Sequence, residues 1–153
     1  FKEILDNAKE QTFHIKNINL PFEIMSGSDT ITPETYLETT FSESGLSDII
    51  VHHKYDYCHG RSTLSYKQEK NLIYLISSKN DLDSLLLKEL ESKYKDIIVL
   101  ESKYTDSIIN NYDLTLQAMY LTKYIAEHKN IDLSIVDYDK PLCKILYKYQ
   151  GEM

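Results

Sequence analysis

Tryptophan is absent from the 153 residues, and glycine occurs four times, proline three times and cysteine twice. Four glycines leave little room for a glycine-rich phosphate loop, and no such motif is found. Cys58 and Cys143 permit at most one bridge, so the chain has no disulfide framework. Arg61 is the sole arginine. With a formal charge of −7, that argues against a nucleic-acid groove, because phosphate contacts need clustered Lys and Arg. No apolar run of about eighteen residues exists, so no stretch reads as a membrane span. Asn-x-Ser/Thr is missing too, and no N-glycan is expected. There is no basic-then-apolar leader pattern, and the chain begins with Phe1. It is read as a piece of a longer protein whose ends say nothing about targeting.

What is present is ordinary for a folded body: 42% apolar and 27% charged residues, at a length that suits one domain. Residues 1–46 are the least patterned. Phe1 to Lys9 has short helical character, but "SGSDTITPETYLETTFSESG" is rich in Ser, Thr, Asp and Glu and reads as loop or stalk. Residues 47–153 are more regular. "DIIVHH" (Asp48 to His53), "NLIYLISS" (Asn71 to Ser78) and "DIIVLES" (Asp96 to Ser102) are short apolar runs of strand type. Between the last two, Leu82, Leu85, Leu86, Leu90 and Tyr94 recur at helical spacing, with Asn80 or Asp81 able to cap the start. A second helix fits "DLTLQAMYLTKYIAEHK", with Leu114, Ala118, Leu121 and Ile125 in register. "IDLSIVD" is expected as a fourth strand.

Strands alternating with helices predict an α/β fold, a mainly parallel sheet flanked by helices. In such sheets ligands sit beyond the carboxyl ends of the strands. Asp137 and Asp139 stand at the end of the expected last strand. Separated by one residue, two carboxylates project to the same side of an extended backbone. Their repulsion is relieved by a hard cation that takes oxygen ligands and bridges to phosphates. The plain alternative is a solvated pair of acids.

Several blocks together resemble the β-1,3-galactosyltransferase-like (β-1,3-hexosyltransferase) glycosyltransferase family. They are "RSTL" (Arg61 to Leu64), "NLIYLISS", "LKELESKYKDIIVLESKYTDS" (Leu87 to Ser107), "NNYDLTLQAM" (Asn110 to Met119) and "IVDYD", in the family's order over roughly residues 46–145. Departures are visible. Leu64 replaces a tryptophan, Gln117 a lysine and Tyr138 the central acid of an Asp-Asp-Asp motif, and three extra residues follow Asp106.

The resemblance implies that residues 47–153 are the nucleotide-binding half of a GT-A type glycosyltransferase, preceded by a stem-like segment, 1–46. It implies metal-assisted transfer of galactose or N-acetylglucosamine from a UDP-sugar to a hydroxyl of a glycan acceptor. Asp137 and Asp139 would hold Mn²⁺ on the diphosphate, and Arg61 and Asp106 would lie at the donor site. The catalytic base would lie beyond Met153. A membrane anchor outside this chain and a place on the lumenal side of the Golgi membrane follow from the same resemblance. The alternative function is a non-catalytic α/β interaction domain with a degenerate donor site. A third class, a zinc adaptor, is suggested by His52, His53, Cys58 and His59, although their spacing matches no closed site.

Overall fold

A computed structural model describes residues 1–11, 13–65, 67–78, 80–135 and 140–150. Four parallel strands form one sheet in the order β2-β1-β3-β4, with β1 Phe22–Ser26, β2 Ile49–His53, β3 Asn71–Ile76 and β4 Asp96–Glu101. The helices are α1 Lys2–Glu10, α2 Ile31–Glu43, α3 Lys54–Asp56, α4 Ser62–Ser65, α5 Asp81–Leu90, α6 Ser107–Lys129 and α7 Lys140–Gln150. A π-helical turn, Tyr57–Arg61, joins α3 to α4, and Gly60 takes a φ of 122° inside it. That conformation suits a residue without Cβ.

Alternation along the strands builds two cores. Phe22 and Ile24, Ile73 and Leu75, and Ile98 and Leu100 face one way and meet Leu37 and Phe41 of α2 and Leu114, Ala118, Leu121 and Ile125 of α6. Met25, Leu72, Tyr74 and Ile76 face the other way and meet Tyr57, Leu90 and Tyr94. The inner strand β3 is buried along its whole length, while the edge strands β2 and β4 alternate. Burying each large apolar side chain contributes about 1.5–3 kcal/mol. The edge-to-face pair of Phe22 and Phe41, 5.5 Å between centroids, fixes α2 on β1.

The second core also carries charge. Glu23, on β1 and fully buried, accepts from Lys70 Nζ at 2.5 Å, Tyr94 OH at 2.5 Å and Ser65 Oγ at 2.7 Å, with His52 Nε2 3.6 Å away. Burial alone pushes a carboxyl up. Here the hydrogen bonds from Lys70, Tyr94 and Ser65, with the His52 imidazole close by, outweigh it and hold Glu23 at about 2. Asp83 does similar work on α5, accepting from Lys54 Nζ at 2.7 Å and Tyr74 OH at 2.9 Å. Together the two carboxylates pin the 54–70 segment over the sheet.

The expected α/β class and parallel sheet are present. Three of the expected strands match β2, β3 and β4, and the expected helices match α5 and α6. Asn80 caps α5 in a capping box with Asp83, although Leu85 points to solvent rather than into the core. Two readings need correction. The segment read as loop or stalk contains β1's last residue and all of α2, and β1 is an inner strand of the sheet. The expected fourth strand is not one over its described part: residues 131–135 form a turn after α6, with Ile135 N donating to Asp132 O at 3.2 Å.

Candidate functional site

From β1 the chain crosses to β2 on one side, then returns to β3 on the other. Connections leaving the carboxyl ends of β1 and β3 therefore diverge, which makes the gap between them the switch point of the sheet. Two serine-bearing turns meet there. After β1 comes Ser26-Gly27-Ser28-Asp29-Thr30, leading straight into α2. After β3 come Ser77 and Ser78, ahead of α5.

The first turn is tightly folded. Thr30 Oγ1 accepts from Gly27 N at 2.9 Å and donates to Gly27 O at 3.1 Å, so it does not cap α2. Ile31 and Thr32, both exposed, carry the first N–H groups of that helix. Gly27 lets Asp29 fold back over the turn, since a Cβ there would stand 2.7 Å from Asp29 Oδ1. Neighbouring asparagines of α6 hold both turns. Asn111 Nδ2 donates to Asp29 O at 3.2 Å, and Asn110 Nδ2 donates to Ser77 O at 2.5 Å.

A carboxylate sits over the gap between β1 and β2. Glu34, in the first turn of α2, accepts from Ser26 Oγ, and His53 Nε2 lies 3.8 Å from the same oxygen. The Glu34 side chain is 16% exposed and that of His53 47%, so the pair borders solvent. Ser28, Asp29, His53 and Ser78 are exposed at the carboxyl ends of β1, β2 and β3. The set offers hydroxyls, helix N–H groups, a carboxylate and an imidazole. These can bind an oxygen-rich ligand and move a proton on it.

Of the residues expected from the sequence, Arg61 and Asp106 can be placed. Arg61 is exposed at the end of the π-helical turn, in the layer over the second core. Asp106 is the N-cap of α6, in the opposite layer, and its Oδ1 accepts from Ile108 N and Ile109 N at 3.0 Å each. Asp137 and Asp139, the expected Mn²⁺ ligands, lie outside the described residues. Among the described residues no three His, Cys, Asp or Glu side chains cluster as a metal site. His52 is buried against Glu23, while Cys58 and His59 are exposed on the π-helical turn. Cys58 and Cys143 are both free.

Ser26, Glu34 and His53 were legible only in part. "SGSDT" is a serine-rich turn, but without recognition of the strand before it, nothing assigned it to a sheet edge. A cleft of about 500 Å³, lined by Pro21, Ser42, Asp48, Ile49 and Lys129, opens at the amino ends of β1 and β2. That is the end where parallel sheets seldom bind ligands. Lys129 donates to Leu46 O at 2.5 Å there and is shifted down by burial.

No protein-family model matches the sequence, and no curated protein matches it either. Solved structures do share the fold. A protein from Listeria monocytogenes described as a sugar-phosphate isomerase aligns over 86% of this chain and 80% of its own, with TM-score 0.56 and 12% identity. A glucose-6-phosphate isomerase-like protein from Thermus thermophilus aligns over 89% of this chain, with TM-score 0.61 and 11% identity. The chain spans 46% of the Thermus protein's length.

These neighbours overturn the glycosyltransferase reading. The four-stranded parallel sheet flanked by helices is a fold shared with these two proteins, and nothing supports the GT-A assignment. With the resemblance go UDP-sugar transfer to a glycan and lumenal Golgi placement. No helix among the described residues is long and apolar enough to cross a membrane. The matched blocks misled for a physical reason: a strand, an acidic helix and a second strand repeat in many parallel α/β folds.

Proposed function

We propose that this chain is a sugar-phosphate-binding domain of the isomerase-like fold, acting on an aldose or ketose phosphate at the carboxyl ends of β1 and β3. One observation carries the reading. Beside the switch point, the β1 turn leads into a helix start with no side-chain cap, and Glu34 of that helix accepts from Ser26 Oγ and lies 3.8 Å from the His53 imidazole. The names of the structural neighbours support the substrate class, a phosphorylated sugar.

The chemistry follows from the residue types. The N–H groups of Ile31 and Thr32 and the hydroxyls of Ser28 and Ser78 take the phosphate. Aldose–ketose isomerisation moves a proton between adjacent carbons, one bearing a carbonyl, through an enediol. Glu34 is placed to take that proton from one carbon and return it to the next. His53 moves the proton between the two oxygens. Because the chain spans about half the Thermus protein, a second module completing the site belongs to the same proposal.

Calorimetry with glucose 6-phosphate, fructose 6-phosphate, glucose and inorganic phosphate tests the binding. The phosphorylated sugars are expected to bind more tightly than either part. In Ile31→Pro, proline occupies the first helical position, where it is tolerated, but removes one N–H. Affinity is expected to fall about tenfold, the loss of one charge-assisted hydrogen bond. No heat with either sugar phosphate at millimolar concentration ends the proposal.

A further inference from the structure

On α6, three buried side-chain oxygens receive no hydrogen bond from the described residues: Asn110 Oδ1, Asp113 Oδ1 and Gln117 Oε1. Their residues are 4%, 0% and 0% exposed. Spacings of three and four place them on one face of α6. Asp113 lies between the other two, about 5 Å along the axis from each, within reach of both amide arms.

The amides cannot simply be turned over. Asn110 Nδ2 already donates to Ser77 O at 2.5 Å and Tyr104 O at 2.9 Å. Gln117 Nε2 donates to Glu101 O and Asp113 Oδ2, both at 3.1 Å. Reversing either would set oxygen against two oxygens, so the orientations stand and the amide oxygens face something else. The hydroxyl of Tyr104, whose carbonyl Asn110 bonds, is also without a partner among the described residues. That leaves one spare hydroxyl donor for three acceptors there. Lys103 is bonded to Glu3 Oε1 at 3.3 Å.

Two amide oxygens and a carboxyl oxygen that receive no hydrogen bond, in a place that water barely reaches, are the donor set of a hard cation. The charge selects its valence. Asp113 brings the group's one formal negative charge, so a monovalent ion balances it, whereas a divalent ion leaves excess positive charge buried. A bridging water would satisfy two acceptors and leave the carboxylate's charge as it is. We propose that Asn110, Asp113 and Gln117 form a buried site for an alkali cation, sodium or potassium, between α6 and the carboxyl ends of β3 and β4. Asn110 also holds the Ser77 turn, so occupancy stiffens one wall of the switch point. The assignment does not depend on the sugar chemistry.

Thermal melts of the desalted protein in choline chloride, with NaCl or KCl replacing choline at constant ionic strength, test it. A saturable rise in Tm of roughly 2–4 °C is expected once the ion exceeds its Kd about tenfold. The rise is expected to be smaller with MgCl₂ and absent in Asp113→Asn. Equal melting in choline, sodium and potassium overturns the proposal, leaving a water-filled site, as does an undiminished rise in Asp113→Asn. Should Asp113→Asn fail to fold, ²³Na NMR of the parent protein decides: saturable broadening displaced by KCl is expected, and a line as narrow as in free NaCl overturns the site.

Discussion

Lys70 Nζ donates to Glu23 Oε1 at 2.5 Å, and both side chains are almost wholly buried, at 4% and 1% exposure. The pair joins the residue just ahead of β3 to the middle of the sheet. Ser65 and Tyr94 converge on the same carboxylate from two further segments. One charged side chain on an inner strand therefore organises the whole layer over the second core.

Glu23→Ala is expected to destabilise the fold by about 3–5 kcal/mol, because it leaves the Lys70 ammonium buried without its counter-charge. Urea denaturation followed by circular dichroism measures this through the midpoint. A loss below about 1 kcal/mol would show that water reaches the site and that the network is not closed.

The same carboxylate predicts acid sensitivity. Glu23 is held at about 2 in the folded chain, against 4.5 ordinarily. A folded-state value below the unfolded one favours the ionised form, so its contribution is full above pH 4.5 and is lost as pH falls through about 2. The amount at stake is on the order of 3 kcal/mol. Comparing parent and Glu23→Gln by urea melts from pH 6 downward checks the sign. The gap between them should narrow toward acid, and a constant gap contradicts it.

This network also explains what could and could not be read from the sequence. β3 was legible because "NLIYLI" is apolar on both faces, as an inner parallel strand must be. β1, its neighbour, was not, because "FEIMS" carries a glutamate whose partners lie 42 to 71 residues away. No local pattern announces such a bond. α2 was missed for a related reason. Its buried stripe is only Pro33, Leu37 and Phe41, and the serines, threonines and glutamates around them look like loop composition. Without β1 and α2 the candidate site is not legible either, since Ser26 and Glu34 belong to those two elements; Asp137 and Asp139 follow an expected strand whose described part is a turn and lie outside the described residues.

Asp106, expected at a donor site, has a capping role that can be tested by itself. As the N-cap of α6, it satisfies two of the helix's first N–H groups. Asp106→Ala is expected to lower stability by about 1 kcal/mol, and Asp106→Asn or Asp106→Ser to restore most of it. Thermal melts of the three variants decide the point. If all three lose stability equally, the carboxylate's charge matters rather than its capping geometry.

Glu34 carries the catalytic part of the proposed function. Its carboxylate accepts from Ser26 Oγ and lies 3.8 Å from His53 Nε2, so it is held in place with one side toward solvent. Glu34→Gln keeps the shape and can still accept from Ser26, but it has no basic oxygen to take a carbon-bound proton. If Glu34 is the base, kcat for aldose–ketose phosphate interconversion should fall by about 10²–10⁴-fold. KM for the sugar phosphate should change little, since the phosphate is held by the helix start and the serines. Proton NMR in deuterium oxide reports the step directly, because solvent deuterium enters at the carbon that exchanges its proton. A rise in KM with kcat kept would make Glu34 a binding group. Full deuterium incorporation in Glu34→Gln would remove it from the proton transfer altogether.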